Sequence, residues 1–148
     1  MLKSKPPLLP QETAESCLPA CLRMVLAAHG VEVSEARLRR LCRCRLNWGT
    51  EPEAAIRAAQ QLGFRRSVVE YHLNLYYLRD YLALGLFPIV GVSLRPLRGL
   101  IADHAQVVVR ITGKRVSVLD PLFGEWHLRP EVFEAAWALT GYLTLIIQ

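Results

Sequence analysis

Residues 11–26 read Gln-Glu-Thr-Ala-Glu-Ser-Cys-Leu-Pro-Ala-Cys-Leu-Arg-Met-Val-Leu, and this stretch predicts a buried helix with a cysteine in its first turn. The helix is expected to begin at Ser16 or Cys17 and to end near Gly30, since glycine accepts a left-handed backbone. Pro19 fits the first turn, where backbone N–H groups have no partner within the helix. The helix dipole and those N–H groups stabilise a thiolate, so Cys17 is a candidate nucleophile.

A histidine and an aspartate further along the chain can complete a catalytic group with this cysteine. His104 leads an apolar run, and Asp120 closes the strand that follows. A three-residue hairpin loop centred on Gly113 would make His104 and Asp120 diagonal neighbours on one face, and a centre one residue earlier would place them directly opposite. A two-residue loop would put them on opposite faces. In the favourable registers the carboxylate holds one imidazole nitrogen and leaves the other to face the sulfur.

Gln11 is the fourth candidate. Its side-chain amide precedes Cys17 closely enough in sequence to fold back towards the reacting group. Such an amide can donate to the oxyanion of a tetrahedral intermediate, together with the backbone N–H of Cys17.

The length and composition predict one globular domain. The chain has 148 residues, of which 52% are hydrophobic and 21% charged, a balance that favours a packed core over disorder. Three prolines in the first ten residues predict a flexible N-terminal arm over residues 1–10. Residues 11–148 are expected to form the single domain.

The sequence also bears on location. No apolar run reaches the ~18 to 20 residues of a membrane-spanning helix, and the N-terminus lacks the apolar core of a secretory signal. The four cysteines suit free thiols better than a disulfide framework. These features predict a soluble, cytoplasmic protein.

The order of elements predicts an α+β domain in which helices pack on one side of an antiparallel sheet. A capping box from Thr50 to Glu53 is expected to start the third helix. The predicted helices cover residues 16–29, 34–43, 51–62, 75–84 and 130–138, and the predicted strands cover residues 66–71, 87–94, 105–111, 115–119, 125–128 and 142–147.

Five arginines lie between residues 37 and 45 of a chain whose net charge is +5. They are open to two interpretations, a nucleic-acid patch or the solvated face of an amphipathic helix. Leu38, Leu41 and Cys42 keep helical spacing, which favours the helix face and makes nucleic-acid binding the weaker alternative. Binding of an acidic peptide or partner is a third alternative.

The cysteines predict no metal site and no cofactor. Cys42 and Cys44 would point about 200 degrees apart on a helix, which is a poor geometry for two ligands of one zinc ion. Cys21 lies one turn after Cys17 and is expected to pack in the core.

Together these motifs resemble a known family, the papain-like bacteriocin-processing peptidases, which form cysteine-peptidase family thirty-nine and remove double-glycine leader peptides. The resemblance rests on the run from Gln11 to Leu26, on His104 with its valine run, on Leu119-Asp120-Pro121, on Gly124 and on residues 133–137. It implies a papain-like fold in which Cys17 is the nucleophile, His104 the base, Asp120 its orienting partner and Gln11 an oxyanion donor.

The chain departs from this family at the residue after the nucleophile, where the family usually has glycine and this chain has Leu18. The leucine either fills part of the substrate groove or packs in the core. The best-known members are N-terminal domains of ABC transporters. Because this chain carries no transporter part, we expect the stand-alone, soluble type, with a separate ABC exporter as a candidate partner.

The expected function is that of a cysteine peptidase acting on a peptide or protein substrate, in a precursor or leader peptide, after small residues. Leu18 and Trp126 are the expected substrate-binding residues, and Trp126 is expected to line the cleft because it follows Asp120 on the loop side. Two alternatives remain open, a non-catalytic peptide-binding domain of the same fold and a transglutaminase-like acyl transferase.

Overall fold

A computed structural model describes residues 4–148, and within them helices precede and flank an antiparallel sheet. The helices are α1 (Cys17–Ala28), α2 (Glu35–Leu41), α3 (Pro52–Gln61), α4 (Leu75–Ala83), α5 (Arg95–Arg98) and α6 (Pro130–Ala138). The strands are β1 (Val68–Glu70), β2 (Ile89–Ser93), β3 (Asp103–Ile111), β4 (Val116–Asp120), β5 (Gly124–Leu128) and β6 (Thr144–Ile146). The sheet has the order β1-β6-β2-β3-β4-β5, which confirms the predicted α+β class.

Helix α1 is the central helix of the first core. Leu22, Met24, Val25 and Leu26 are all fully buried, and the helix packs against β3, α2 and α3. The predicted end of the helix is confirmed, because the chain leaves it at His29 and Gly30 has a left-handed φ of 80°. This packing fixes the position of the first turn of α1.

The prediction that the helices lie on one side of the sheet is wrong. A second core, formed by α4 and α6 with the other sheet face, contains Leu78, Val90, Phe133 and Trp137. The reason is visible in β2, where every residue is buried. A strand in which successive residues are all buried is covered on both faces.

Smaller differences occur at helix starts. The capping box predicted for α3 is absent, because Glu51 is the N-cap and makes no side-chain cap hydrogen bond. The caps predicted for two other helices are confirmed, since Ser34 accepts from the N–H of Arg37 and Asn74 from that of Tyr77. The sequence analysis missed the single-turn helix α5.

The β3–β4 hairpin decides which side chains share a face. Its tight turn is a two-residue loop, because the N–H of Thr112 donates to the carbonyl of Arg115 at 2.9 Å. Next to the turn Ile111 pairs with Val116, but beyond a β-bulge at Val109 the register shifts and Val107 pairs with Leu119. The two-residue loop alone would have placed Asp120 opposite Val107.

The bulge adds one residue to β3. Each β3 side chain beyond it therefore lies on the opposite face from the one that regular alternation would give it. One residue beyond the pair of Val107 and Leu119, this register places Asp120 opposite Gln106. His104 is then the diagonal neighbour of Asp120. This is the register predicted for a three-residue loop, reached instead by a two-residue loop and a bulge.

The segment before α1 lies against the domain. Pro6 is buried, Leu9 packs against the first core, and Lys5 forms an ion pair with Glu125. The N–H of Gln11 donates to the carbonyl of Pro121 at 2.9 Å. The division into an arm over residues 1–10 and a domain over residues 11–148 stays a prediction, and residues 1–3 lie outside the described part.

Among residues 4–148, no helix combines the length and the apolar character needed to cross a membrane.

Candidate active site

Cys17 is the first residue of α1, as the sequence predicts, and it is partly exposed. The loop before it is fixed by side-chain hydrogen bonds. The hydroxyl of Ser16 accepts from the N–H of Thr13 at 3.0 Å and lies 3.0 Å from Oε1 of Glu35. Ser16 itself makes no side-chain cap hydrogen bond to α1, so its role is to hold the loop.

Glu35 is a site residue that the sequence analysis missed. Its side chain is fully buried, accepts from the N–H of Glu12 at 2.9 Å and pairs with Arg39 at 3.3 Å. A buried carboxylate is costly unless it is paired in this way. Glu35 is the first residue of α2, where a negative charge interacts favourably with the helix dipole. From the sequence alone, the glutamate indicates this helix role and no other. Its contact with the loop before Cys17 arises only in the tertiary structure.

His104 and Asp120 form a buried hydrogen-bonded pair. Nε2 of His104 lies 2.7 Å from Oδ1 of Asp120, and the two side chains are almost fully buried. Nε2 is therefore engaged by the carboxylate, which leaves Nδ1 for another partner. The thiol of Cys17 lies on the wall of the same cleft as His104 and is near enough to raise the pKa of the ring.

The charge state of His104 follows from these contacts. Burial opposes the charged form of the ring, but hydrogen bonds and attraction to Asp120 and Cys17 outweigh it and raise the pKa of His104 to about 9. The ring therefore holds a proton at neutral pH. An imidazolium between sulfur and carboxylate is the arrangement that keeps a thiolate available for attack.

Four donors surround the carboxylate of Asp120. Oδ1 accepts from His104 and from the N–H groups of Leu122 and Phe123, at 2.8 and 3.0 Å, while Oδ2 accepts from Nε2 of Gln106 at 2.9 Å. Burial would raise the pKa of Asp120, but these hydrogen bonds hold it below its ordinary value. Asp120 is thus an anion in the fold.

Gln106 was not among the predicted site residues. Its side chain is fully buried in β3. Its sequence position, two residues after His104 in an apolar run, places it on the same face as His104. A polar residue in that run was a signal that a buried polar partner lies opposite.

An aromatic cover lies over the pair. The ring of Phe123 is 6.0 Å from the ring of His104 and is stacked on Trp126 at 5.5 Å. The guanidinium of Arg98 lies 4.4 Å from the centre of the Phe123 ring, within the range of a cation–π contact. This cover limits water access to the hydrogen bond between His104 and Asp120.

A cleft of about 320 Å³ opens beside the thiol. Cys17 and His104 lie on its wall, with Leu18, Trp48 and Leu143 among the other lining residues. Gly91 also lines it, and a Cβ there would come within 2.7 Å of the Leu143 side chain. A side chain at that position would require the Leu143 side chain to shift.

Comparison with known proteins decides the family. The sequence profile of the Peptidase C39 family matches residues 5–147. The chain belongs to this family. Its fold and its membership of a cysteine-peptidase family are thereby confirmed.

Solved C39 structures share the fold. The peptidase domain of Streptococcus ComA, a bi-functional ABC transporter involved in a quorum-sensing pathway, is 28% identical, with a TM-score of 0.75 over 98% of this chain and 100% of that one. A double-glycine-motif protease from an AMS/PCAT transporter, solved with its leader peptide, is 22% identical, with a TM-score of 0.75 over 99% and 95% of the two chains. A C39-like peptidase from Bacillus anthracis is 15% identical, with a TM-score of 0.79 over 96% and 94%. No curated protein matches the chain.

The structure brings Cys17, His104 and Asp120 together, whereas Gln11 and Trp126 make other contacts. Both N–H bonds of the Gln11 amide are used within the loop of this C39 domain, at 2.8 Å to Thr13 and 3.2 Å to Ala14. Trp126 lies behind Phe123 and is not among the residues that line the cleft. A substrate contact for Trp126 stays a prediction.

Leu18 meets both expectations for the residue that replaces the family glycine. Its side chain is 7% exposed and belongs to the first core, yet it also lines the cleft. Most of the leucine therefore packs, and a small part faces the space beside the thiol.

The remaining cysteines are chemically distinct from Cys17. Burial, with the nearby Cys17 and Asp120, raises the pKa of Cys21 well above its ordinary value, and burial raises the pKa of Cys42 to about 12. Cys44 is partly exposed and lies 3.5 Å from the carbonyl of Glu15. Within residues 4–148, no three His, Cys, Asp or Glu side chains converge as a metal ion would require.

Alkylation tests the activation of Cys17. With iodoacetamide at pH 6, we expect Cys17 to react at least about tenfold faster than Cys44, because only Cys17 has an imidazole partner. Peptide mass mapping after a short pulse measures both rates. Cys44→Ala is the matched control and should leave Cys17 labelling unchanged. Equal rates at Cys17 and Cys44 would contradict activation.

Titration of His104 tests its contact with Asp120. By NMR, the ring should lose its proton near pH 9, and Asp120→Asn should move this midpoint down towards about 6.5, the value of a free imidazole. Since the folded pKa is the higher one, the stabilisation is complete below about pH 6.5 and is lost as the pH rises through 9. Asp103→Asn is the control that should keep the high midpoint. A midpoint near 6.5 in the parent would show that the pair does not form.

Proposed function

We propose that this protein is a cysteine peptidase whose nucleophile is Cys17, with His104 as base and acid and Asp120 as the residue that orients His104. The observation that carries the proposal is the position of the imidazole. Nε2 of the ring is hydrogen-bonded to the Asp120 carboxylate at 2.7 Å, and Cys17 lies on the same cleft wall, near enough to raise the pKa of the ring. Nucleophile, base and orienting group are thereby connected in series.

The reaction follows from this connection. With the proton already on His104, the Cys17 thiolate attacks the carbonyl carbon of the scissile peptide bond. His104 then gives its proton to the departing amine as the C–N bond breaks, which leaves a thioester on Cys17. Water attacks the thioester while His104 accepts its proton, and the thiolate leaves as the carboxylic acid product forms.

Two donors are proposed for the oxyanion. The backbone N–H of Cys17 belongs to the first turn of α1, where helical geometry supplies no partner. The amide of Gln11 is the second donor, and its longer bond, at 3.2 Å to the carbonyl of Ala14, is the one it would exchange for the oxyanion. Such donors act most strongly when they are held in place before the reaction.

The proposed substrate is a precursor or leader peptide cut after small residues. This is supported by the two transporter peptidases of similar fold, one described as a double-glycine-motif protease solved with its leader peptide. The edge of Leu18 in the cleft leaves less room beside the thiol than a glycine would, which favours small residues there. A separate ABC exporter is the proposed partner for the product, and the cytoplasm is the proposed compartment.

Cleavage assays test the proposal. A synthetic precursor with a Gly-Gly site should be cut after the second glycine, as read by mass spectrometry of both products. Cys17→Ala, His104→Ala and Asp120→Asn should each lower kcat/KM by about 10³-fold or more, with Cys44→Ala as the matched control. Binding of the peptide without any cleavage would favour a non-catalytic module. Transfer of the acyl group to an added amine, without hydrolysis, would favour an acyl transferase.

Gln11 requires a separate test, because its amide also holds the loop before Cys17. Gln11→Ala should lower kcat by about 10²- to 10³-fold with little change in KM, as expected for an oxyanion donor. The melting temperature of the variant, measured in parallel, reports the structural role of the amide. A lower melting temperature with unchanged kcat would show that Gln11 acts only on the loop.

A further inference from the structure

A basic groove lies on the α2 side of the molecule, outside the catalytic cleft. It has a volume of about 590 Å³, and its lining includes Arg39, Arg40, Arg43 and Arg45 with one carboxylate, that of Glu15. Residues 36, 39, 40 and 43 repeat with helical spacing, so these positions form one stripe along α2 and its end. The buried residues Leu38 and Cys42 occupy the other face.

The arginines of this groove are not equivalent. Arg39 pairs with Glu35 at 3.3 Å and with Glu12 at 3.8 Å. Arg40, Arg43 and Arg45 make no ion pair within residues 4–148. Three positive charges thus face solvent around one groove, and among the described residues that line it Glu15 is the one carboxylate.

Arg43 occupies a position that favours glycine. Helix α2 ends in a Schellman motif, in which the N–H of Cys44 donates to Arg39 at 2.8 Å and that of Arg43 to Arg40 at 3.1 Å. Arg43 is the left-handed residue of this motif, with a φ of 54°. Any side chain there is strained relative to glycine. The arginine is therefore not explained by the stability of the turn.

The groove is continuous with the loops that build the catalytic site. Thr13 and Glu15 line it and belong to the loop that leads into Cys17. On its other side the chain passes from Arg45 to Trp48, which lines the catalytic cleft and is 80% exposed. A peptide held in the cleft can therefore extend over Trp48 into the groove.

We propose that this groove binds acidic side chains of the peptide substrate, several residues away from the cleaved bond. The inference rests on the proposed peptidase function and adds a second determinant of substrate choice. Arginine is suited to carboxylates because its planar donors bind both oxygens. Exposed pairs of this kind are individually weak and are screened by salt, so the preference should be modest and salt-dependent.

The test compares matched peptides that share one Gly-Gly site. One set carries four glutamates on the N-terminal side of the site, a second carries them on the C-terminal side, and the controls have glutamine at the same positions. At low salt, the parent should cut one of the acidic peptides with a kcat/KM about tenfold above that of its glutamine control. The ratio should fall towards 1 as NaCl is raised to 0.5 M.

Charge-reversal variants test whether the arginines of the groove cause the preference for acidic peptides. Arg40→Glu/Arg43→Glu should remove the preference and produce one for peptides with lysine in place of glutamate. Arg57→Glu/Arg65→Glu is the matched control, since it makes the same change in net charge at exposed positions outside the groove. The control should keep the preference of the parent.

Arg43→Gly separates binding from structure. Because glycine relieves the left-handed strain, the melting temperature should rise, by roughly 2–4 °C, while the ratio of acidic to glutamine kcat/KM falls. A lower melting temperature with an unchanged ratio would identify Arg43 as a structural residue and contradict the proposal.

Two further results would overturn it. Equal kcat/KM for acidic and glutamine peptides in the parent would exclude acidic recognition, even though Cys17-dependent cleavage of both peptides would leave the peptidase function intact. Salt-dependent binding of a 20-base DNA oligonucleotide that is lost in Arg40→Glu/Arg43→Glu, with peptide ratios unaffected, would assign the groove to nucleic acid instead. If the parent cleaves none of these peptides, the proposed peptidase function itself is contradicted.

Discussion

Asp120 carries a negative charge at a position where its side chain has no contact with solvent, and four hydrogen-bond donors make that possible. An unpaired buried carboxylate would cost several kcal/mol or take up a proton. Because the donors come from β3 and from the turn after β4, the hairpin and its turn must both form before the anion is stable. The orientation of His104, and through it the proton held next to Cys17, depends on this one carboxylate.

The two halves of the site come from different layers. Helix α1 presents Cys17, and its placement depends on the first core and on Glu35, which holds the preceding loop from α2. The sheet presents His104 and Asp120, and their placement depends on the bulge at Val109. The thiol and the ring therefore meet only when α1 is packed on β3, which makes the site a property of the assembled core rather than of any single motif.

Much of this arrangement could be predicted from local sequence. The apolar face of α1 and Gly30 define the helix that begins at Cys17, and the order of helices and strands indicates the fold class. The cover on the second sheet face could have been inferred from β2, whose residues are buried on both sides. Glu35 could not have been predicted as a loop anchor, because a glutamate in a first turn is favourable for helix electrostatics alone.

The hairpin shows why registers are hard to predict. The turn at residues 112–115 is of the two-residue type, and read alone it gives the wrong face for Asp120. The compensating bulge at Val109 has no local signature, since valine is an ordinary strand residue. What favours it is the burial of Asp120 against Gln106 and His104, a tertiary interaction. The same reasoning applies to Arg43, whose left-handed backbone is stabilised by the end of α2 rather than by its own preference.

The most direct test of this account is the variant Asp120→Ala. It removes the carboxylate that is hydrogen-bonded to Nε2 of His104. By proton NMR, the parent should show a low-field signal from the Nε2 proton of His104, which is hydrogen-bonded to Asp120. The account predicts that this signal disappears in the variant while the cross-strand contacts between β2 and β3 remain. A low-field signal that persists in the folded variant would contradict it.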